Sequence, residues 1–218
     1  MRREGEVVCD NRGMISVRSK VIGVTVVVVA AFFGVWLARE LHRSEPQLAS
    51  GTWFAQPREI GEFALTDQAG NAFTRANLQG RPALVFFGFT HCPDVCPTTL
   101  VTLAQVKRTA GIEGLRVLLI SVDPARDTPP MLEKYVHAFD MNFIGVTGGQ
   151  TEIDRLAKEF GVAMQRVDLP GGDYTMDHTA AVFLLDDHAQ IAGIFTPPFK
   201  VDSMSQDLRR AAPALKSR

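Results

Sequence analysis

Apolar residues in this chain gather into short runs separated by polar intervals marked with Gly and Pro, with one longer run near the N-terminus. Residues 82–88 (PALVFFG) are short, β-rich and bounded by Pro and Gly, which predicts a buried strand; residues 115–122 repeat the pattern. Between them Pro97 predicts a helix start, because proline suits the first helical position and costs about 3 kcal/mol in a helix interior. That helix is expected to run to about Ala110. Further helices are expected over 130–139, over 152–160, where Ile153, Leu156, Ala157 and Phe160 are the apolar positions, and over 202–211. A short strand is expected at 142–146, and residues 180–185 and 190–195 read as a strand pair joined by Asp186, Asp187, His188 and Ala189. Upstream, two short runs around a Gln-Ala-Gly-Asn turn (residues 68–71) predict a hairpin. Strands alternating with helices, closed by a β-hairpin and a helix, predict a thioredoxin-like α/β domain over residues 60–218.

The longer run, residues 21–38 (VIGVTVVVVAAFFGVWLA), is uncharged over eighteen positions. As a helix it extends ~27 Å, close to the ~30 Å hydrocarbon core of a bilayer. It exceeds the ~7–15 residues of a signal-peptide core, and no small-x-small cleavage site follows closely, so an uncleaved transmembrane anchor is expected. Arg2, Arg3, Arg12, Arg18 and Lys20 precede the run, whereas only Arg39 and Arg43 lie close behind it. The positive-inside rule then makes residues 1–20 a cytoplasmic tail and puts the chain from about residue 39 outside. Glu4, Glu6 and Asp10 make the leader too acidic for an organelle transit peptide, so a single-pass protein of a bacterial inner membrane, facing the periplasm, is expected. Met14, opening the basic segment MISVRSK, offers an alternative start that removes residues 1–13 and Cys9. Residues 39–59, polar with scattered Pro and Gly, read as a tether.

Composition narrows the function classes. The 218-residue chain is 46% hydrophobic and 22% charged with a net charge of −1, so a nucleic-acid partner has no electrostatic support.

Candidate chemistry centres on Cys92 and Cys96. They stand four positions apart where a strand ends and a helix starts, the place at which open α/β sheets put their ligands. A helix N-terminus also favours a thiolate. Three chemistries are open. A structural disulfide suits an oxidising compartment, but so short a loop restricts the unfolded chain little. Thiol–disulfide exchange is the second, although dithiol oxidoreductases of this fold use C-x-x-C rather than C-x-x-x-C. Metal binding is the third: two thiolates select soft ions such as Cu(I), and an added imidazole extends the site to Cu(II). His178, directly before the strand at 180–185, is the histidine that a thioredoxin-like sheet brings beside the first helix. His91 points elsewhere if its segment is extended, His42 lies in the tether, His137 in a helix and His188 in a hairpin turn. Met131, Met141, Met164 and Met176 are soft donors but dispersed, and read as packing or exposed residues. In SVDPARDTP (residues 121–129) the simplest reading is a strand exit and turn, with Asp127 or Thr128 capping a helix that has Pro129 and Pro130 in its first turn. Residues 95–98 (VCPT) look like part of a peroxiredoxin site, but Phe89 and Pro93 stand where P-x-x-x-T-x-x-C requires Pro and Thr.

Three segments in this order and spacing, GFTHCPDVCPTTL (88–100), SVDPARDTP (121–129) and DYTMDHT (173–179), resemble the SCO/SenC family of copper-binding proteins over about residues 57–212. The resemblance implies a thioredoxin-like domain that binds Cu(I) or Cu(II) through Cys92, Cys96 and His178. It also implies a metallochaperone, with no catalytic residues, that assists assembly of the dinuclear copper centre in subunit II of cytochrome c oxidase. The alternative within the family is a thiol–disulfide oxidoreductase that reduces the target's cysteines. The implied partners are oxidase subunit II, a periplasmic copper donor or thiol reductant, and the membrane through the single helix. For such a site the helix N-terminus is expected to lower the thiolate pKa, and an exposed three-ligand sphere to favour transfer.

Overall fold

The computed structural model describes residues 12–41 and 46–216, which belong to two units divided between Ser44 and Glu45. The first unit contains α1 (Arg12–Leu41), a 30-residue helix. Its described side chains, those of residues 22–37, are all exposed, Phe32 at 73% and Val27 at 68% among them. Among the described residues no helix is long and apolar enough to cross a membrane. The span expected at 21–38 extends past the described side chains at both ends, and Cys9 and His42 lie outside the described residues.

The second unit is built on a mixed eight-stranded sheet in the order β1-β10-β9-β4-β5-β6-β2-β3. The central strand β4 (Ala83–Gly88) is buried at every position. It runs parallel to β5 (Arg116–Ser121), which is parallel to β6 (Ile144–Thr147). Such strands are covered on both faces, which is why they read as continuous apolar runs without alternation. Parallel neighbours require crossovers, supplied by α2 (Val95–Ala110) and α3 (Pro129–His137). On the other side of β4 the antiparallel pair β9 (Val182–Leu185) and β10 (Gln190–Phe195) completes the centre, and α5 (Val201–Ala211) packs against α2. The expected N-terminal hairpin is present as β2 (Ala64–Asp67) and β3 (Ala72–Thr74), with β2 joined to β6. After α4 (Gln150–Phe160) come β7 (Met164–Asp168) and β8 (Tyr174–His178), which pair only with each other.

Two expectations are corrected. Residues 51–59, read as tether, form β1 (Gly51–Glu59), an edge strand antiparallel to β10. Its polar residues and Pro57 hide the strand pattern; the register breaks between Trp53 and Arg58, and an irregular edge tolerates the missing proline donor. The helix expected from Pro97 begins two residues earlier, at Val95. Pro97 is then its third residue, still within the first turn, where no amide has an intrahelical partner to lose.

The entry of β1 is fastened by Asp207 of α5. This carboxylate, fully buried, accepts from the amides of Ala49 and Ser50 at 2.8 and 2.7 Å and from the Ser50 hydroxyl at 2.6 Å. Asp207→Ala removes these three bonds, and urea denaturation is expected to show a loss of about 2–4 kcal/mol, since hydrogen bonds to a charged group contribute about 1.5–3 each before water replaces the exposed ones. A loss under about 0.5 kcal/mol, the range of ordinary surface substitutions, contradicts this fastening.

Candidate metal centre

β4 ends at Gly88, the chain turns through Phe89 and Thr90, and α2 starts at Val95, so both cysteines lie at the C-terminal mouth of the central strand. The close approach needs the glycine: a Cβ at residue 88 stands 2.8 Å from the Phe86 ring and 3.1 Å from Cys96 Sγ. Both cysteines are free thiols, Cys92 half-buried and Cys96 fully buried. The Cys96 amide donates to Cys92 Sγ at 3.4 Å, so a backbone donor of the helix start serves the outer sulfur rather than the inner one.

His178, the last residue of β8, faces them as expected, with Nε2 3.6 Å from Cys96 Sγ. Its Nδ1 lies 3.2 Å from the Thr179 carbonyl oxygen. A carbonyl only accepts, so Nδ1 carries the proton and the Nε2 lone pair is left for the sulfur side. The rings of Phe86 and Phe89 meet the imidazole edge-on at 5.9 and 6.0 Å between centroids, fixing its plane. Burial holds the imidazole below its ordinary pKa, against the opposing pull of the Thr179 carbonyl and Asp177, which favours the neutral ring that can ligate.

The thiol expectation is corrected here. Burial pushes the Cys96 thiol well above its ordinary pKa, and nearby Cys92 and Asp127 add to the effect. Desolvation of a sulfur inside the first helical turn outweighs the favourable dipole, so the metal-free centre keeps Cys96 protonated. Nor is the centre wholly exposed. An open cavity of about 250 Å³ reaches Cys92 and His178, lined also by Phe89, Pro93, Val95 and Met176, while Cys96 lies behind it.

The segment 121–129 is more than a cap. Thr128 occupies the N-cap of α3 without a side-chain cap bond, and Pro129 opens the helix. Asp127 is fully buried and takes the Thr90 hydroxyl at 2.6 Å, the Thr90 amide at 3.1 Å and the Ser121 hydroxyl at 2.6 Å. Burial raises its pKa despite these donors. Thr90 leads directly into His91 and Cys92, so Asp127 anchors the cysteine loop. Asp123 and Arg126 reach the other way: Asp123 accepts from Tyr174 Oη at 2.8 Å, and Arg126 pairs with Asp123 at 2.5 Å and donates to the Tyr174 carbonyl at 3.0 Å. The Tyr174 ring lies between the guanidinium groups of Arg126 and Arg166, at 3.7 and 3.8 Å. Tyr174 opens the strand that His178 closes. One loop thus fastens both halves of the site. The sequence carried a signal for this in the charged residues of 121–129 and the tyrosine of DYTMDHT, but nothing in it paired them.

The other histidines stand elsewhere. His91 Nδ1 lies 3.0 Å from the Thr90 hydroxyl and is half exposed, His137 ends α3, and His188 meets Asp187 at 2.7 Å in the β9–β10 turn. With the reduced protein, alkylation of Cys92 is expected to outpace that of Cys96 by at least about tenfold, because a thiol reacts as an accessible thiolate. Peptide mass spectrometry after timed iodoacetamide quenching reads the order; equal rates contradict the asymmetry.

Comparison with known proteins gives relatives in both sequence and fold. A family model described as SCO1/SenC matches residues 54–213. A protein of Stutzerimonas stutzeri named for copper binding is 36% identical over 160 residues, covering 70% of this chain and 77% of that protein. The copper-bound crystal structure of ScoI from Arabidopsis thaliana superposes with a TM-score of 0.68 at 30% identity, covering 71% of this chain and 98% of the other. The copper-bound structure of Bradyrhizobium japonicum ScoI gives 0.64 at 41% identity, covering 69% and 97%. The second unit is accordingly a thioredoxin-like fold of the Sco type.

Proposed function

Because the chain belongs to the SCO1/SenC family, we propose that it is a membrane-anchored copper metallochaperone that carries Cu(I) or Cu(II) on Cys92, Cys96 and His178 to the dinuclear centre of cytochrome c oxidase subunit II. The observation that carries the ligand set is the meeting of His178 Nε2 with Cys96 Sγ at 3.6 Å, beside Cys92, whose sulfur accepts from the Cys96 amide. Two sulfurs and one imidazole suit copper in both oxidation states. Copper-bound structures of relatives support the cargo, and a structurally similar protein, BsSco, is described as one of a family of cytochrome c oxidase assembly proteins. The anchor reading draws support from the uncharged run 21–38 and from the exposed apolar side chains of α1. The charge distribution around the run favours a cytoplasmic N-terminus and a periplasmic domain, where a copper donor or thiol reductant loads the site.

Each residue has a physical task. The Thr179 carbonyl holds the Nδ1 proton, leaving Nε2 free to bind. Cys96 is a thiol in the metal-free protein and releases its proton on binding, so copper retention falls as pH falls. Cys92 borders the open cavity, where a cysteine or histidine of the target can enter the incomplete coordination sphere. A membrane anchor raises the effective concentration at a membrane-bound target.

Cys92→Ser, Cys96→Ser and His178→Ala are each expected to weaken copper retention by at least about 100-fold, as loss of one donor from a three-donor soft site demands, read by competition with a copper chelator. Full stoichiometric retention by the His178→Ala protein contradicts its ligand role. In a transfer assay, copper-loaded protein mixed with reduced apo subunit II is expected to generate the absorption of the dinuclear centre. Failure of transfer, with reduction of an oxidised target instead, turns the reading to a thiol–disulfide oxidoreductase.

A further inference from the structure

Of the four dispersed methionines, the structure unites two with the metal centre. Met164 and Met176 stand on the β7–β8 ribbon, whereas Met131 belongs to α3 and Met141 to the turn after it. Met164 is the direct cross-strand partner of His178, and Met176 precedes His178 by two residues on the same strand. All three therefore project from one face of the ribbon, since side chains on a strand alternate with a period of two. Directly opposed Cβ atoms are ~4.5–5.5 Å apart, and i, i+2 neighbours about 7 Å, within reach of flexible thioether side chains. Both methionines are half-buried against the apolar core.

Both methionines border cavities at or beside the site. Met176 lines the cavity of about 250 Å³ that also reaches Cys92 and His178. It lines the neighbouring cavity of about 330 Å³ as well, and Met164 lies on that second wall. The two cavities share Met176 as a wall residue, so Met164, Met176, His178 and Cys92 all border this pair of cavities. That second cavity is also lined by Asp123, already paired with Arg126, by Asp154 and by the cationic Arg166.

We propose that Met164 and Met176 form a Cu(I)-selective thioether landing site that feeds the Cys92, Cys96 and His178 centre. The inference rests on the copper reading above. Thioethers are neutral, soft and weak donors: they favour Cu(I) over the harder Cu(II) and lose no proton on binding. Copper then moves inward by ligand exchange without electron transfer. Copper–thioether bonds break, copper–thiolate bonds form, and each thiol that ligates passes one proton to the solvent. A weak site beside a strong one provides a downhill route, and it leaves resting copper on the cysteines.

The test uses the full chain labelled with selenomethionine, in two forms. In Cys92→Ser/Cys96→Ser protein, Cu(I) supplied anaerobically as its acetonitrile complex is expected to show a copper–selenium contact by X-ray absorption at the selenium edge. That contact disappears when Met164→Leu and Met176→Leu are added, and it is absent with Cu(II). In protein with both cysteines, Met164→Leu/Met176→Leu is expected to slow loading from a Cu(I) chelate by about tenfold while leaving the final affinity unchanged, the effect of losing an entry donor but no resting ligand. Leucine keeps the apolar volume, and thermal unfolding verifies the fold of each variant. Absence of a copper–selenium contact together with unchanged loading overturns the proposal. Failure of the protein with Cys92 and Cys96 intact to retain copper overturns the copper-carrier reading instead; the selenium signal of the Cys92→Ser/Cys96→Ser form still decides this one.

Discussion

Asp127 is the constraint on which the site depends. A carboxylate with no exposed surface stays in the interior only when its lone pairs are answered, and Thr90 and Ser121 answer them. Ser121 is the last residue of β5 and Thr90 the second residue beyond β4, so the carboxylate ties the ends of two adjacent parallel strands. The cysteine loop leaves the sheet from that tie, and its path is set before α2 begins. Without the tie the two thiols stand on a free turn; with it, Cys96 packs against Gly88 and lies within 3.6 Å of an imidazole from a distant part of the chain.

The histidine side of the site is held differently. The β7–β8 ribbon makes no strand pairing with the main sheet, so no backbone ladder sets its position. Its attachment is made by side chains, through Tyr174 against Arg126, the Asp123–Arg126 pair beneath it, and Met164 and Met176 packed on the core. Cation–π contacts of this kind contribute about 0.5–2 kcal/mol each, less than a run of ladder bonds. The site therefore joins a half built on β4 and α2 to a half held on the sheet by side-chain packing. Under the proposed copper reading, that division separates the two sulfur donors from the imidazole donor.

How far the sequence foretold this depends on the kind of interaction. Strands β4, β5 and β9, whose apolar runs need no partner to be recognised, were legible, as was the β2–β3 hairpin from its turn residues. β1 was not, since an irregular edge strand with a proline resembles a linker until its partner β10 is known. At the site, Cys92, Cys96 and His178 were legible as residues, and the meeting of His178 with Cys96 followed from the anticipated topology. The protonation of Cys96 was not, because a helix dipole can be read from a proline whereas burial depends on Gly88, Phe89 and the sheet beneath. The role of Asp127 escaped for the same reason: a local motif suggests a cap, and only the fold reveals a partner 37 residues away.

The unequal burial of the two sulfurs bears on the protein's repair after oxidation. A thiol that opens a Cys92–Cys96 bridge must attack the sulfur it can reach, which is Cys92. The departing group is then Cys96, and it must leave as a thiolate into surroundings that disfavour charge. Exchange is slowed when the leaving thiol has a high pKa. Any such bridge is thus expected to open at Cys92, with the buried Cys96 as the disfavoured leaving group.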